Sequence, residues 1–307
     1  MDDSSDKQTA QETVPVSEAG RKRPVTGLLA REFGELAAVC RKAGGDWWRE
    51  VRAWFVFVHN RRTDTRFPIF PKPLRSAEIL TVAASIILML VLIADPFVLA
   101  AVNTPGWQPH PWFNTITEFG KSDWILYPAG LMLIVFSLWR RSTSRRGGFN
   151  RHSVMLAVYY MFTTVAFAGL IATLLKNIIG RARPPFVSEG RVWESIPFGD
   201  SYDFASFPSG HATTAGALAF ALALLFPRLR VFFIVAGVWI AVSRPALGVH
   251  FPSDVVAGFA FGAAFSYYYA RSFARKRLLF AFAKDGRLTL AVRQSRFVPD
   301  SLRQEGG

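Results

Sequence analysis

Cysteine and acidic residues are scarce in this sequence. The single cysteine, Cys40, cannot form a disulfide within the chain, so helix packing must hold the fold together. Only 22 Asp and Glu residues oppose 36 Lys and Arg residues, and such a basic excess is typical of proteins that bind nucleic acid or a membrane surface. The N-terminal stretch lacks a basic segment followed by an apolar one, which argues against a cleaved signal peptide and predicts a disordered cytosolic tail.

Apolar residues, in contrast, are abundant. They make up 51% of the sequence, and the mean hydropathy of +0.22 is higher than a water-soluble domain of this length needs. Six apolar runs would form helices of about 22 to 39 Å, against a hydrocarbon core of ~30 Å. The runs are Ala77 to Val102, Trp124 to Trp139, Val154 to Ile179, Ala212 to Phe226, Val231 to Val249 and Val255 to Ala270. The sequence therefore predicts an all-α fold, a polytopic membrane helical bundle with six transmembrane helices.

The distribution of Lys and Arg predicts the orientation of these helices. With both termini in the cytoplasm, 30 of the 36 basic residues lie on the inner side, and five of them fall in the short loop 140–153. Because basic residues concentrate in short cytoplasmic loops, both termini are predicted to be cytoplasmic. Membrane topology and anionic lipid then account for the net charge of +14, so we expect membrane lipids and no nucleic acid as partners.

Three regions follow from this pattern. Residues 1–75 are predicted to form a cytoplasmic N-terminal tail that is partly disordered. Within it, residues 44–62 carry apolar and basic side chains at helical spacing, which indicates an amphipathic interfacial helix or, equally well, an ordinary helix packed on the bundle. Residues 76–270 contain the six spans, and residues 271–307 are predicted to be a basic cytoplasmic C-terminal tail.

Two short polar motifs lie at helix ends on the predicted outer side. In KNIIGRARP, Lys176 and Arg183 could bind an anion, but a lysine that snorkels to the interface and a solvated loop arginine fit as well. In SFPSGHA, Ser209 can cap the fourth span and Gly210 allows close backbone approach, so the bare helix end would attract phosphate. A capped helix start with an incidental histidine, His211, is the alternative.

A third motif, SRPALGVHFPSD, adds a cation and a second histidine. Arg244 lies about 20 Å along the fifth run, where an unpaired charge is costly and needs an anionic partner. His250 and Asp254 are four residues apart, so the carboxylate can accept a hydrogen bond from one imidazole nitrogen and leave the other free as nucleophile or base. A histidine and aspartate that merely fasten a loop are the alternative.

Together these groups fit phosphoryl transfer without a metal. Cations and backbone donors would stabilise the phosphate charge while one histidine attacks phosphorus and the other protonates the leaving oxygen. Paired histidines also bind metals, but no HxH, HExxH or acidic ligand cluster accompanies them, and nearby cations would repel a metal. We therefore expect no metal and no cofactor.

In order and spacing, three stretches resemble the signature of one superfamily, the type-2 phosphatidic acid phosphatases and vanadium haloperoxidases. These stretches are Lys176-x6-Arg183-Pro184, Pro208-Ser209-Gly210-His211 and Ser243-Arg244-x5-His250-x3-Asp254. The resemblance covers roughly residues 75 to 270. With its six apolar runs, the chain resembles the integral-membrane lipid phosphatases of the superfamily and not its soluble haloperoxidases.

The resemblance implies a role for each matched residue. His250 would form a phosphohistidine intermediate, oriented by Asp254, and His211 would be the general acid. The phosphate oxygens would be held by Lys176, Arg183, Arg244, Ser209 and Gly210. Arg181 lies between matched positions and receives no role.

The function implied is that of a membrane lipid phosphatase. It would hydrolyse a lipid phosphomonoester or diphosphate on the outer face of the plasma membrane, which in a bacterium is the periplasmic face of the inner membrane. Phosphatidic acid, phosphatidylglycerol phosphate, undecaprenyl diphosphate and lipid A phosphate are the candidates. A phosphotransferase that passes the phosphoryl group to another lipid or sugar stays open, and a catalytically idle membrane scaffold conflicts with the complete set of catalytic groups.

Asp95, followed by Pro96, interrupts the first apolar run. About 18 residues of helix precede it. We expect it at the outer interface as a kink and cap, and the alternative is a deeper position as the partner of a cation of the site.

Overall fold

The computed structural model describes residues 45, 48, 49, 52, 56, 60, 61, 63–70, 73–138, 151–188, 191–199 and 201–291. The chain divides into two units, Met1–Val51 and Arg52–Gly307. In the first unit, the single residues described are helical. Most of the predicted helix at 44–62 and the tail 292–307 lie outside the described residues. The second unit contains all elements discussed below.

Helices dominate the described part of the chain. They are α1 (Pro73–Ile93), α2 (Asp95–Val102), α3 (Trp112–Glu118), α4 (Asp123–Leu138), α5 (Arg151–Ile179), α6 (Gly210–Leu225), α7 (Arg230–Ala246) and α8 (Pro252–Arg275). Single turns of 3₁₀ helix occur at Pro184–Phe186, Tyr202–Phe204 and Pro227–Leu229. Strands β1 (Phe280–Phe282) and β2 (Leu288–Leu290) form an antiparallel hairpin. The predicted helical fold is confirmed, with this hairpin as its one departure among the described residues.

By length and composition, three segments of the described chain are long and apolar enough to cross a membrane. They are Leu74–Val102, Ser153–Ile179 and Pro227–Ala246. Helices α4 and α6 have 16 residues each and are shorter than a typical span. Helix α8 has 24 residues but is less apolar, because it carries Asp254, Ser266 and three consecutive tyrosines.

The first apolar run is divided at Ala94 into α1 and α2. Pro96 lies in the first turn of α2, where a backbone N–H has no acceptor within the helix, so its absence costs nothing. In the interior of a continuous helix, the proline ring would clash with the preceding turn. The helix is thus interrupted at the place where the kink is predicted. The side chain of Asp95 is fully buried within the protein, so it does not act as an exposed cap. The physical reason is a buried cation, which is described with the site below.

Helix α6 lies at the centre of the bundle and packs against α5, α7 and α8. Its approach to α8 depends on glycines with the spacing Gly258-x3-Gly262. A Cβ atom on Gly262 would lie 2.2 Å from the carbonyl oxygen of Thr213 and 2.7 Å from the amide nitrogen of Ala217. The close crossing holds the N-terminal ends of α6 and α8 together, and those ends carry two of the three motifs.

Replacing Gly262 by alanine should destabilise the protein by about 1–3 kcal/mol, because the new methyl group would overlap backbone atoms of α6 that cannot rotate away. Thermal unfolding in detergent, followed by tryptophan fluorescence, measures the effect. Gly169→Ala is the matched control, since nothing lies within 4 Å of the Cβ position on that glycine of α5. The control should keep or slightly raise the Tm. Equal Tm values for Gly262→Ala and the wild type would contradict the close crossing.

The fold extends beyond the predicted boundary at residue 270. Helix α8 continues to Arg275, and the hairpin that follows buries Phe280 against Tyr160 of α5, with ring centroids 5.0 Å apart. On the N-terminal side, Arg271 donates hydrogen bonds to the carbonyl oxygens of Pro68 and Ile69 at 2.5 and 2.8 Å. Parts of both predicted tails, residues 63–70 and 271–291, thus belong to the folded unit.

Candidate active site

The three motifs converge at one end of the helices α5 to α8. The amide of Ser209 donates to the carbonyl oxygen of Asp254 at 3.1 Å, which joins the starts of α6 and α8. Arg183 Nη1 donates to the carbonyl oxygen of Val249 at 3.3 Å. Lys176, near the end of α5, places its Nζ 3.2 Å from the Cβ position on Gly210.

His250 lies in the loop between α7 and α8 and is 2% exposed. Its Nδ1 is 3.6 Å from Asp254 Oδ2, which is too long for the predicted direct hydrogen bond. The hydroxyl of Ser206 lies between the two groups, 2.6 Å from Asp254 Oδ2 and 3.2 Å from His250 Nδ1. Ser206 therefore bridges the histidine and the carboxylate.

The bridge fixes the tautomer of His250. The Ser206 hydroxyl has one hydrogen, which it donates to the carboxylate, so its oxygen accepts the hydrogen of Nδ1. The other ring nitrogen, Nε2, then carries a lone pair. Burial lowers the pKa of His250 to about 4, although the negative charge of Asp254 raises it. The imidazole is thus neutral at neutral pH, as a nucleophile requires.

Both carboxylate oxygens of Asp254 are held in place. Oδ2 also accepts a hydrogen bond from the amide of Phe251 at 2.9 Å, and Oδ1 accepts one from Arg181 Nη1 at 2.6 Å. The carboxylate is fully buried, so its orientation is fixed by these donors and not by water.

The three cations of the motifs lie close to one another, and none of them forms an ion pair with a carboxylate of the described residues. Lys176, Arg183 and Arg244 interact electrostatically, and no carboxylate oxygen of the described residues lies within 4.0 Å of any of them. Burial lowers the pKa of the Arg183 guanidinium, because the charged form loses solvation there. Such a concentration of poorly solvated positive charge favours a bound anion, and phosphate has the matching charge and acceptors.

Neutral partners hold the two arginines. Arg183 Nε donates to the carbonyl oxygen of Tyr202 at 2.9 Å, and its guanidinium carbon lies 3.7 Å from the centroid of the Tyr202 ring. Arg244 Nη1 donates to Thr117 Oγ1 of α3 at 2.7 Å, and its buried Nε has no hydrogen-bond partner among the described residues. These arginines are positioned by the protein with donors left for a ligand.

The start of α6 offers further donors. Ser209 occupies the N-cap position, as predicted, but its side chain does not cap the helix. Its buried hydroxyl has no partner in the described part of the chain, and the first amides of a helix lack acceptors within it. His211, half-buried, follows in the first turn, and its ring packs against Gly120, where a Cβ would lie 3.0 Å from Cδ2. This end of α6 can therefore bind an anion beside an imidazole.

Known proteins match the part of the chain that contains these motifs. The model of the PAP2 superfamily matches residues 156–278, which include the three motifs. The lipid A 1-phosphatase of Rhizobium johnstonii is 40% identical over 218 residues, which are 70% of this chain and 87% of that protein. The chain belongs to the PAP2 superfamily. The predicted resemblance is thereby confirmed.

Two further proteins are similar to this PAP2 chain. The lipid A 1-phosphatase of Rhizobium etli is 43% identical over 175 residues, which cover 56% of this chain and 74% of that protein. The crystal structure of a transmembrane PAP2 type phosphatidylglycerolphosphate phosphatase from Bacillus subtilis matches with 21% identity and a TM-score of 0.35. That match covers 73% of this chain and 94% of the other.

The PAP2 site also contains residues that the sequence analysis did not select. These are Thr117, Arg181, Ser206 and Ser253, and they are joined by Asp95, for which the sequence left a cation partner open. The sequence offers a signal for Asp95 and Arg181. An aspartate in an apolar run and an unassigned arginine at the same end of the helices each need an opposite charge. Arg181 Nη2 indeed donates to Asp95 Oδ2 at 2.8 Å, so Asp95 is the partner of a buried cation, the alternative that the sequence left open.

Replacing Ser206 by alanine should lower kcat roughly 10- to 100-fold, because a hydrogen bond to a charged group contributes about 1.5–3 kcal/mol. Without the bridge, His250 loses its acceptor at Nδ1 and Asp254 loses a donor. Steady-state kinetics of the purified protein measure the change. Ser272→Ala, which removes a hydroxyl bonded to the carbonyl oxygen of Tyr269 on α8, is the control and should keep wild-type kcat. Equal kcat values for both variants would contradict the bridge.

Proposed function

We propose that this PAP2 protein is a membrane lipid phosphatase that removes the 1-phosphate of lipid A through a phosphohistidine on His250, without a metal. One observation carries the chemistry: a neutral, buried imidazole, fixed through Ser206, lies near Arg183 and Arg244. Neither these arginines nor Lys176 beside them has a carboxylate oxygen within 4.0 Å among the described residues. Among those residues, His, Cys, Asp and Glu side chains form no group that could hold a metal ion.

The choice of lipid rests on the relatives. Two proteins at 40% and 43% identity, of which this chain covers 87% and 74%, are lipid A 1-phosphatases. Lipid A phosphate is therefore favoured over phosphatidic acid, phosphatidylglycerol phosphate and undecaprenyl diphosphate. All four lipids present phosphate at headgroup depth, where a site at the ends of membrane helices can reach it.

The proposed reaction has two steps. In the first, Nε2 of His250 attacks phosphorus and the bond from phosphorus to the lipid oxygen breaks. His211, which holds a proton while the negative charge of the phosphate is bound beside it, gives that proton to the lipid oxygen. In the second, a water molecule attacks phosphorus and loses a proton to His211, while the bond from nitrogen to phosphorus breaks and inorganic phosphate leaves. Throughout, Lys176, Arg183 and Arg244 stabilise the negative charge on the phosphate oxygens, together with Ser209 and Gly210.

We further propose the complete topology. The chain has six spans and cytoplasmic termini, residues 1–75 and the end of the chain lie in the cytoplasm, and the site faces the periplasm across the inner membrane. The five arginines of residues 140–153 precede α5 in sequence or stand at its first residue, whereas Lys176 of the site lies near its other end. Cys40, the sole thiol, provides the test. A membrane-impermeant thiol reagent should fail to label Cys40 in intact cells. Labelling of Cys40 under these conditions would contradict the orientation.

The direct test of substrate is a panel assay with the purified full-length protein in detergent. Lipid A, phosphatidic acid, phosphatidylglycerol phosphate and undecaprenyl diphosphate are supplied with and without a chelator. We expect phosphate release from lipid A, loss of its 1-phosphate by mass spectrometry, and no effect of the chelator. Faster release from another lipid would overturn the substrate, inactivation by the chelator would overturn the metal-free mechanism, and a phosphorylated acceptor would identify a transferase.

A further inference from the structure

We propose that Arg181 and Asp95 are positioning residues of the active site. Arg181 fixes the carboxylate of Asp254, and Asp95, supplied by the first apolar segment, fixes Arg181. The inference rests on the proposed function, because it concerns the residues that orient the nucleophile His250.

Arg181 contacts the residues that orient His250 through both its side chain and its backbone. Its side chain donates from Nη1 to Asp254 Oδ1 at 2.6 Å and to Ser253 Oγ at 2.7 Å. Its backbone carbonyl oxygen accepts a hydrogen bond from the amide of Ser206 at 3.0 Å. One residue thus holds one oxygen of Asp254 directly and also places the serine that binds the other oxygen.

The guanidinium of Arg181 cannot serve the phosphate as the other arginines do. It is 0% exposed, and Nη2 donates to Asp95 Oδ2 and to the carbonyl oxygen of Val192, both at 2.8 Å. Its central carbon lies 4.3 Å from the ring centroid of Trp193 and 4.2 Å from that of Phe251. Two carboxylates already neutralise its charge, whereas Arg183 and Arg244 have none within 4.0 Å among the described residues.

Asp95 connects α2 to this arrangement across 86 residues of sequence. Its Oδ1 accepts from the amide of Ser253 at 3.0 Å, and its Oδ2 accepts from Arg181 and from Ser253 Oγ at 2.5 Å. Ser253 precedes Asp254 in the first turn of α8. Asp95 therefore holds both the arginine and the helix start that present the catalytic carboxylate, although it lies outside residues 156–278, which the PAP2 model matches.

The contacts form one buried series that runs from Asp95 through Arg181, Asp254 and Ser206 to His250. Removing one member of a buried ion pair leaves an uncompensated charge, so its neighbours move or change protonation. The expected consequence is a slower chemical step with little change in substrate binding, because neither proposed residue reaches the phosphate.

The test compares Arg181→Met, Arg181→Lys and Asp95→Asn, each in the wild-type and the Asp254→Asn background. The full-length proteins are assayed with lipid A and, in parallel, with p-nitrophenyl phosphate, and Tm is measured for each. We expect Arg181→Met to lower kcat about 100-fold with KM within about 3-fold, Arg181→Lys to recover part of that loss, and Asp95→Asn to lower kcat about 10-fold. In the Asp254→Asn background, Arg181→Met should lower kcat by less than about a further 3-fold, because both substitutions remove the same interaction.

Tyr160→Phe is the matched control for a buried polar contact far from the site. It removes a hydroxyl that bonds Ser266 at 2.9 Å, so it should lower the Tm and leave kcat unchanged. A raised KM with normal kcat in Arg181→Lys would make Arg181 a phosphate ligand and overturn the proposal. If Arg181→Met lowers kcat by the same factor in the Asp254→Asn background as in the wild type, Arg181 has a purely structural role, and this result would also overturn the proposal.

The failure of this proposal is distinguishable from failure of the proposed function. If the wild type releases no phosphate from any lipid, the function has failed, and p-nitrophenyl phosphate still measures the nucleophile. If Arg181→Met does not fold, Arg181→Lys and Asp95→Asn decide the matter. Wild-type kcat in both of these variants would overturn the positioning role.

Discussion

Replacement of His250 by alanine should abolish phosphate release, with a loss on the order of 10⁴-fold or more in kcat. The imidazole supplies the atom that bonds to phosphorus, and a methyl group cannot replace it. Ser206 and Asp254 offer no substitute because they bind each other, and the nearby cations have no lone pair. The loss should be the same for lipid A and for p-nitrophenyl phosphate, since both need the nucleophile.

His110→Ala provides the matched histidine control. His110 is exposed in the segment between α2 and α3 and belongs to no part of the site. We expect wild-type kcat and KM from this variant. Measurable steady-state turnover by His250→Ala, above a blank without protein, would mean that another group attacks phosphorus.

Replacement of His211 by alanine should have an effect that depends on the leaving group. A sugar or glycerol oxygen leaves poorly as an anion, so the loss of a general acid should slow hydrolysis of a lipid phosphate by about 10²–10⁴-fold. The p-nitrophenolate ion leaves without a proton, so the first turnover of p-nitrophenyl phosphate should stay close to the wild-type rate. The later turnovers should be slow, because the water that attacks the phosphoenzyme has lost its base.

The expected record for His211→Ala is therefore a burst of p-nitrophenol equal to the enzyme concentration, followed by a slow steady rate. Stopped-flow absorbance measures both phases. Equal slowing of the burst and of lipid A hydrolysis would show that His211 positions phosphate and does not donate the proton. Unchanged hydrolysis of lipid A would remove His211 from the reaction.

The sequence predicts the helices of this fold better than it predicts the number of spans. Every apolar run coincides with a helix, because a long apolar stretch leaves the backbone few alternatives. Length and hydropathy identify three spans among the described residues, since α4 and α6 are short and α8 carries polar side chains on its buried face. The hairpin 280–290 was missed because strands of three residues are too short to show a period of two.

In the site, the contacts between side chains cannot be predicted from their spacing in the sequence alone. His250 and Asp254 are four residues apart, but α8 begins at Pro252, so the rule for neighbours on a helix does not apply to His250. The two side chains are consequently 3.6 Å apart, and Ser206 completes the connection from another loop. Arg181 and Asp95 are separated by 86 residues, and only the packing of α2 against the start of α8 brings them together.

The most direct measurement is the chemical identity of the phosphoenzyme. His211→Ala is mixed with p-nitrophenyl phosphate, quenched in alkali, where phosphohistidine survives, and digested for mass spectrometry. Phosphate on the peptide that contains His250, absent from His250→Ala, is the expected result. Phosphate on any other residue, or turnover with no phosphate bound to the protein during the slow phase, would contradict covalent catalysis by His250.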